Sequence, residues 1–252
     1  MKNLLSFLLF ISLFIFSCDK EKEPYGKLVF QINHKVDSED LQLNQRIYLN
    51  EADNQYEVVR LRYVLSDFVL ETDSGLYKIE ETHFYDVEEE GLVNTITLEA
   101  DIPFGSYKLS SFVFGLDSIK NTSNAYINEP WHLGFAWPDI MGGGYHYMQF
   151  EGFYDHSDGT TNAFITHRGR ALDNITLEPR ESFTVVGFAN ESLTIEKEET
   201  TTIEVNMNLN NFYKNPNTYD FEDYSGIMSD SDAQQTLQEN EHDVFSLTTI
   251  KN

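Results

Sequence analysis

A period-two alternation of apolar and polar residues runs through most of this chain and constrains its fold more than any other feature. In residues 202–208, for example, Ile203, Val205 and Met207 fall on one face. Successive side chains of a strand point to opposite faces, so such a segment suits a strand with one buried face. Many short segments of this kind, separated by turn residues, predict an all-β fold, specifically an antiparallel β-sandwich.

The alternation and the turn residues between segments locate the predicted strands. They lie at residues 27–34, 58–71, 77–87, 95–98, 107–115, 146–154, 164–168, 174–177, 182–189, 192–195 and 202–208. Near the carboxyl end the pattern favours a short C-terminal helix over residues 232–244, with Ser231 as its N-cap. Phe245 and Leu247 follow as a predicted docking strand.

A long irregular segment, residues 116–144, separates the two groups of predicted strands. It is rich in aromatic residues, holds both tryptophans, Trp131 and Trp137, and ends in the glycine run 142–144. Loops of this length inside a compact domain are usually functional or disordered, and the aromatic content favours an ordered, functional loop.

The amino terminus resembles a lipoprotein export signal. Lys2 precedes an apolar run over residues 4–16, which is short for a membrane-spanning helix. The run ends before Cys18, the only cysteine of the chain, which therefore has no partner for an internal disulfide. We interpret residues 1–17 as a signal peptide and Cys18 as the lipidated residue; the alternative is a plain secretory signal with an incidental cysteine.

These boundaries predict the domain organisation and the location of the mature protein. A charged tether, residues 18–26, leads to a β-sandwich over residues 27–215 and an acidic C-terminal extension over residues 216–252. The predicted location is the outer membrane, with the domain facing the periplasm or the cell surface. The formal charge of −25 makes nucleic acid a poor partner and metal cations better ones.

The histidines are the candidate site residues. His34, His146 and His167 are each in phase with apolar neighbours on their strands, so we expect all three to point inward near strand ends. His83 is a fourth candidate whose facing the pattern leaves undecided. Met148, two residues after His146, would add a soft thioether ligand. Three further histidines, assigned to the surface, are His132, His156 and His242.

Inward imidazoles in an anionic exported protein suggest a transition-metal site. Imidazole suits copper and zinc, a thioether tilts the preference towards Cu(I), and a cysteine-based zinc site is excluded. The competing interpretation is that each buried histidine is a hydrogen-bonded structural residue. No HxH, HExxH or GxSxG motif is present, so we expect binding without catalytic turnover, and the carboxylates Asp67, Asp86, Asp117 and Glu151 cannot be paired from sequence.

Four strings, in their order, resemble the MbnP-like copper-binding domain family. They are LRYVLSDFVLETDSG (61–75), PFGSYKLSSFVFGLDSIKN (103–121), AWPDIMGGGYHYMQFEG (136–152) and AFITHRG (163–169). The chain resembles the lipoprotein branch of this family that carries GGGYHYM, and the resemblance spans about residues 27 to 210.

The resemblance implies a secreted β-sandwich that binds copper through histidines. His167 matches the family's histidine before glycine, His34 matches a position common in related lipoproteins, and His83 and His146 fit the GGGYHYM branch. Trp137 matches a tryptophan that lies at the metal site and is oxidised to kynurenine by a dihaem enzyme of the MauG kind. Pro138 after this tryptophan departs from the family pattern.

We therefore expect copper capture, storage or handover, with zinc as the alternative metal. The second hypothesis is a surface module that holds a glycan or peptide with the aromatic loop 126–137. The third is a copper or zinc enzyme, which requires an open coordination position that sequence does not reveal.

Overall fold

The alternating segments form strands in a computed structural model that describes residues 25–251, without the side chain of Asn190. The strands are β1 (Tyr25–Val36), β2 (Glu39–Asp40), β3 (Tyr48–Leu49), β4 (Gln55–Thr72), β5 (Gly75–Asp86), β6 (Val93–Thr97), β7 (Ile102–Pro103), β8 (Gly105–Phe114), β9 (His146–Asp155), β10 (Thr161–Gly169), β11 (Ala171–Leu172), β12 (Pro179–Arg180), β13 (Thr184–Ile195), β14 (Thr200–Asn208) and β15 (Phe245–Lys251). The helices are α1 (Val87–Glu90), α2 (His132–Phe135) and α3 (Ser231–Asn240), with 3-10 turns at Asp139–Met141, Leu209–Tyr213 and Glu241–Asp243.

Two sheets face each other as a β-sandwich, which confirms the predicted fold class. The smaller sheet has the order β15-β14-β1-β2, with β6 and β7 also paired to β1. The larger sheet has the order β10-β9-β4-β8-β13, with β3 and β5 also paired to β4. Pairing is antiparallel except between β1 and β14, which run parallel. The long strand β4 is thus central to the larger sheet and pairs with β3, β5, β8 and β9.

The inner faces of the two sheets enclose the main core. Leu28, Phe30 and Ile32 of β1 are completely buried, and so are Ile203 and Val205 of the neighbouring strand β14. Phe30 contacts Phe68 of the opposite sheet with ring centroids 4.9 Å apart. Period-two burial on β1 and β14 is what the sequence pattern predicted, because one face of each strand packs inward.

The long segment between β8 and β9 covers the outer face of the larger sheet and forms a second, smaller core. Its fully buried members are Val64, Leu116, Phe135, Tyr145 and Tyr147. Trp131 adds to this cluster by stacking on Phe84 of β5, with ring centroids 5.4 Å apart and planes 12° apart. Both faces of the sheet are therefore buried in this region.

The glycine run at residues 142–144 allows the end of this loop to pack closely against its beginning. Gly144 has φ of +88°, and a Cβ there would lie 2.2 Å from Oδ1 of Asn121. The same Asn121 oxygen accepts a hydrogen bond from the backbone of Tyr145 at 2.8 Å. The Gly144 carbonyl in turn accepts from the Trp137 backbone at 2.9 Å. A side chain at position 144 would break this close approach.

Two strand predictions were wrong in detail. Residues 174–177 form a turn, because the carboxylate of Asp173 accepts hydrogen bonds from the backbone N–H groups of Ile175 and Thr176. Such Asx geometry outcompetes the extended conformation that the apolar residues favoured. The predicted strands at 182–189 and 192–195 are a single strand, β13, which begins at Thr184 and whose pairing register shifts between Gly187 and Glu191.

The C-terminal segment is part of the sandwich. Leu237 of α3 is completely buried in the main core, and β15 adds an edge strand beside β14. The predicted helix and docking strand are confirmed, but the N-cap is Asp230, whose side chain accepts from the backbone of Asp232 and Ala233. Serine was the expected cap; aspartate is an equally good one.

The predicted signal peptide, Cys18 and most of the tether lie outside the described residues. Within residues 25–251, no helix combines the length and the apolar character needed to cross a membrane.

Candidate metal site

His34 points into the main core, as predicted, and both of its ring nitrogens are occupied. Nδ1 donates to the Leu92 carbonyl at 2.7 Å, and Nε2 lies 2.9 Å from the Tyr63 hydroxyl. Asn94 donates to the same hydroxyl at 3.1 Å, which leaves the Tyr63 O–H free to donate to Nε2. Burial lowers the pKa of His34 to about 4. His34 is therefore a neutral, fully hydrogen-bonded structural residue.

His83 lies half-buried on β5, where its Nε2 contacts a carboxylate oxygen of Glu81 at 2.9 Å. Its ring packs edge-on against Phe68. The hydrogen-bond and ring partners of His83 include no other histidine among the described residues. His34 and His83 are thus each engaged in a local structural contact.

His146 begins β9 and is 5% exposed. It contacts the loop and His167 and not the main core that holds Met148, so its predicted phase with Met148 was wrong. Its Nδ1 donates to the Phe135 carbonyl at 3.0 Å, which places the lone pair of the neutral ring on Nε2. Nε2 is buried and has no hydrogen-bond partner among the described residues. Burial lowers the pKa of His146 to about 4, with a smaller lowering from the neighbouring His167 and an opposing rise from the bond to Phe135.

His167 lies on β10, and its phase was predicted wrongly. The inward residues of this strand are Phe164, Thr166 and Arg168, whereas Ile165, in phase with His167, is 39% exposed. His167 therefore occupies the outer face of the larger sheet, where the long loop covers it. Its Nε2 contacts Oε1 of Glu151 at 2.8 Å, and its Nδ1 is buried without a hydrogen-bond partner in residues 25–251.

His146 and His167 lie side by side beneath the loop. Their ring centroids are 4.9 Å apart and their planes are nearly perpendicular, at 83°. Trp137 packs edge-on against His146, with centroids 4.8 Å apart, and is 2% exposed. The benzene ring of Trp137 lies directly over Gly169, where a Cβ would approach to 2.5 Å. The glycine after His167 thus makes room for the tryptophan beside the histidine pair.

Glu151 and Arg60, which the sequence did not identify as partners of these histidines, hold the ring of His167 in place. Glu151 of β9 accepts from His167 through Oε1 and from Arg60 of β4 through Oε2, the latter at 2.9 Å. The bond to His167 is the main cause that lowers the pKa of the Glu151 carboxyl. A carboxylate on the strand adjoining His167, on the same face, is the signal that identifies Glu151, but it requires the pairing register.

The remaining predicted residues are placed elsewhere. Met148 is completely buried in the main core, opposite Tyr63 and Arg168 in the strand pairings, rather than in the smaller core under the loop. His132, predicted at the surface, is 9% exposed, and its Nδ1 lies 2.9 Å from the Tyr145 hydroxyl. The loop buries His132 because it folds back over the sheet. His242 is at the surface, as predicted, and His156 is half-buried.

The predicted convergence of four histidines is not seen. Within the described residues, no group of three or more His, Cys, Asp or Glu side chains is arranged to hold a metal ion. The structure brings together His146 and His167, with Trp137 beside them.

The C-terminal segment secures the strand that carries His167. The guanidinium of Arg168 and the carboxylate of Glu241 form a completely buried ion pair at 2.7 Å. Gln234 of α3 donates to the His167 carbonyl at 2.6 Å and accepts from the Gly169 backbone at 3.2 Å. A buried charge pair of this kind loses about 3–5 kcal/mol when one partner is removed, so the segment is strongly held against β10.

A cavity of about 510 Å³ lies between the loop and β5. Its walls come from the loop, including Glu129, Trp131 and Phe135, and from β5, including His83 and Phe84. Phe135 forms a wall of this cavity and also contacts the ring of His146, with centroids 5.4 Å apart. The aromatic loop thus separates an open cavity from the buried histidine pair.

The fold and the buried histidine pair define a class: a β-sandwich with two adjacent imidazoles under a loop on its outer face. The MbnP family model matches residues 25–229, and the chain belongs to the MbnP family. The solved structure of MbnP from Methylosinus trichosporium is similar, with a TM-score of 0.50 and 11% sequence identity; the match covers 88% of this chain and 97% of that one. At that identity the likeness concerns the fold. No curated protein matches this chain.

Proposed function

We propose that this protein binds copper as cargo through Nε2 of His146 and Nδ1 of His167. The observation that supports this proposal is that the two imidazole rings are adjacent and that each has a nitrogen available for a metal. The two rings are adjacent, and each has one nitrogen bonded to a hydrogen-bond partner. The other nitrogen of each ring is buried without a partner in residues 25–251.

A purely structural role explains this arrangement poorly. A buried polar atom that lacks a hydrogen bond costs about 1–3 kcal/mol, so two such atoms on adjacent rings are unusual in a stable core. Histidines that ligate metals commonly donate their second ring N–H to a backbone carbonyl or a carboxylate. His146 and His167 show one of each, with Phe135 and Glu151 as the acceptors.

Copper suits the pair better than the alternative metal, zinc. Imidazole nitrogen is a ligand for both ions, but zinc sites generally use three or four protein ligands. The described part of the chain offers two imidazoles at this place. Membership of the MbnP family favours the same choice.

The environment keeps the imidazoles ready for a metal. Because burial lowers the pKa of His146 to about 4, protons do not compete for its Nε2 at neutral pH. Trp137 and Phe135 pack around the ring of His146 and limit access of water. We infer capture, storage or handover of the ion without catalytic turnover.

The proposed location agrees with this role. We propose that the protein is an exported lipoprotein of the outer membrane, anchored through Cys18, because the segment before this cysteine resembles an export signal. The cysteine would then be used for the anchor, which leaves histidines as the metal ligands. Metabolic labelling with a tagged fatty acid tests the anchor: Cys18→Ser should abolish the label, and persistent labelling would contradict it.

The family resemblance also implies that Trp137 is converted to kynurenine by a dihaem partner, and this stays a prediction. Trp137 lies beside the histidine pair, where such a modification would affect the site. Peptide mass spectrometry of the protein from its native host should find the oxidised residue. Unmodified tryptophan in copper-loaded native protein would contradict the prediction.

A titration of the purified mature protein with Cu(I), against a competing chelator, tests the copper proposal. We expect His146→Ala combined with His167→Ala to lower the affinity at least about 100-fold, because both ligands are lost. His83→Ala is the matched control, since it removes a half-buried histidine that also contacts a carboxylate. Unchanged affinity in the double variant would show that copper binds elsewhere.

The cavity beside Trp131 supports a second candidate function, a non-catalytic module for a glycan or peptide. Its volume falls in the range of small-molecule sites, and it has an aromatic wall. Elemental analysis of the protein as isolated separates the two proposals, because a glycan or peptide module should be metal-free. A change of Trp131 fluorescence on titration with oligosaccharides or peptides would support the module, and its absence at millimolar ligand would count against it.

A further inference from the structure

We propose that Glu151 is the positioning residue of the copper site, because it fixes which nitrogen of His167 carries the proton. This inference rests on the proposed function for its consequence, although the proton position is a property of the metal-free protein. Arg60 takes part by holding the second oxygen of the same carboxylate. The resulting chain of contacts runs from Arg60 through Glu151 to His167.

The geometry assigns one task to each carboxylate oxygen. Oε1 of Glu151 lies 2.8 Å from Nε2 of His167, and Oε2 lies 2.9 Å from Nη1 of Arg60. Arg60 has its Nε 3.8 Å from the Glu88 carboxylate as well, so it lies between two acidic groups. The Glu151 side chain is about one-quarter exposed and that of His167 only 12% exposed.

This arrangement determines the tautomer of the neutral imidazole. An ionised carboxylate only accepts hydrogen bonds, so the proton of His167 belongs on Nε2. The lone pair is then on Nδ1, the buried nitrogen without a partner in the described structure. The other tautomer would place a proton on Nδ1 and block it as a ligand.

Replacing Glu151 with glutamine should reverse the tautomer although the shape is retained. A glutamine has one oxygen and one NH₂ group in place of two equivalent oxygens. Arg60 is a permanent donor, so the amide oxygen should turn towards Arg60 and the NH₂ group towards His167. Nε2 of His167 must then accept, and its proton moves to Nδ1.

Nitrogen-15 NMR of the metal-free protein measures this directly. At about pH 8 the wild-type ring of His167 should show a protonated Nε2 and an unprotonated Nδ1. Glu151→Gln should exchange the two assignments. Glu222→Gln, which changes a carboxylate beside the ring of His156, is the control and should leave His167 unchanged. An unaltered tautomer in Glu151→Gln would overturn the proposal.

A second substitution distinguishes positioning from simple packing. Arg60→Met combined with Glu151→Gln removes the donor that orients the amide, so the amide oxygen can return to His167 and restore the proton on Nε2. A packing defect would be worsened by the second change. Failure of the double variant to regain the wild-type pattern would contradict the role given to Arg60.

Copper binding then links the proton position to the proposed function. We expect Glu151→Gln to weaken Cu(I) binding about 10- to 100-fold, the usual effect of changing a residue that orients a ligand, and Arg60→Met with Glu151→Gln to recover part of it. If the tautomer reverses but wild-type copper binding does not depend on His146 and His167, the copper proposal fails and the positioning role stands. If copper binding depends on both histidines but the tautomer does not reverse, the positioning role fails alone.

Discussion

His34 in the main core and the His146–His167 pair under the loop are both buried, but their ring nitrogens differ in hydrogen bonding. Burial lowers the pKa of both His34 and His146 to about 4. His34 has partners on both ring nitrogens, whereas His146 and His167 each have one buried nitrogen without a partner in the described part of the chain. Burial is therefore similar at both places and does not distinguish a structural histidine from a metal ligand.

The distinguishing feature is the supply of partners. Tyr63 of β4 supplies a hydroxyl to His34, and Leu92, which directly precedes β6, supplies a carbonyl, so the hydrogen bonding of His34 is complete without a ligand. The loop delivers one carbonyl and two aromatic rings to His146, which bury its second nitrogen without satisfying it. An unsatisfied nitrogen in an apolar enclosure is a better indicator of a metal site than a buried histidine as such.

Acidification should have the largest effect, because the main core and the loop-covered pair each contain a histidine whose pKa is lowered by burial. His34 and His146 bind protons more readily in the unfolded chain, so each contributes stability that is present above about pH 6.5 and lost as the pH falls to about 4. The loss should be about 3 kcal/mol for each. Chemical denaturation of the metal-free protein across this range measures it. His34→Gln should remove about half of the pH dependence, and an unchanged slope would contradict this assignment.

A substitution at His34 should reveal its structural role. His34→Leu removes a partner from the buried Tyr63 hydroxyl and from the partly buried Leu92 carbonyl, so the free energy of unfolding should fall by about 2–3 kcal/mol. Copper affinity, measured in the same preparation, should stay within about threefold of the wild type, because His34 is separate from the pair. A loss of copper binding in a folded variant would return His34 to the set of ligands.

A substitution at Gly169 tests the packing of Trp137 beside the His146–His167 pair. In Gly169→Ala the new methyl group would overlap the indole, so we expect a loss of about 1–3 kcal/mol and a displaced tryptophan. Denaturation and tryptophan fluorescence measure the two effects, with Gly187→Ala as the control, because an added Cβ there meets open space and the backbone has no positive φ. A variant with wild-type fluorescence and stability would show that the glycine is not required for this packing.

His83 should give the smallest effect. Its partner Glu81 is a half-buried carboxylate, and contacts of this kind contribute about 0–1 kcal/mol. His83→Gln should therefore change stability by less than about 1 kcal/mol and leave Cu(I) affinity unaltered. Weaker copper binding in this variant would mean that the site extends to β5.

The sequence predicted most of the sandwich because period-two burial is a local property of strands such as β1 and β14. It failed at residues 174–177, where the turn depends on the side chain of Asp173. It also failed at His167, because a loop covers the outer face there and phase no longer separates buried from exposed.

The site was predicted in part for a related reason. His146, His167 and Trp137 were named from their motifs, and the structure places these three together. Free ring nitrogens, and the partners Phe135 and Glu151, depend on how the loop folds over the sheet and how β9 pairs with β10. Neither the loop path nor the register can be obtained from alternation alone.

Anomalous diffraction from crystals of the copper-loaded protein, at the copper absorption edge, tests the central claim most directly. The account predicts a single strong peak within bonding distance of Nε2 of His146 and Nδ1 of His167, with Trp137 beside it and His34 still bonded to Tyr63. A peak at His34, His83 or Met148, with the His146–His167 pair empty, would contradict it.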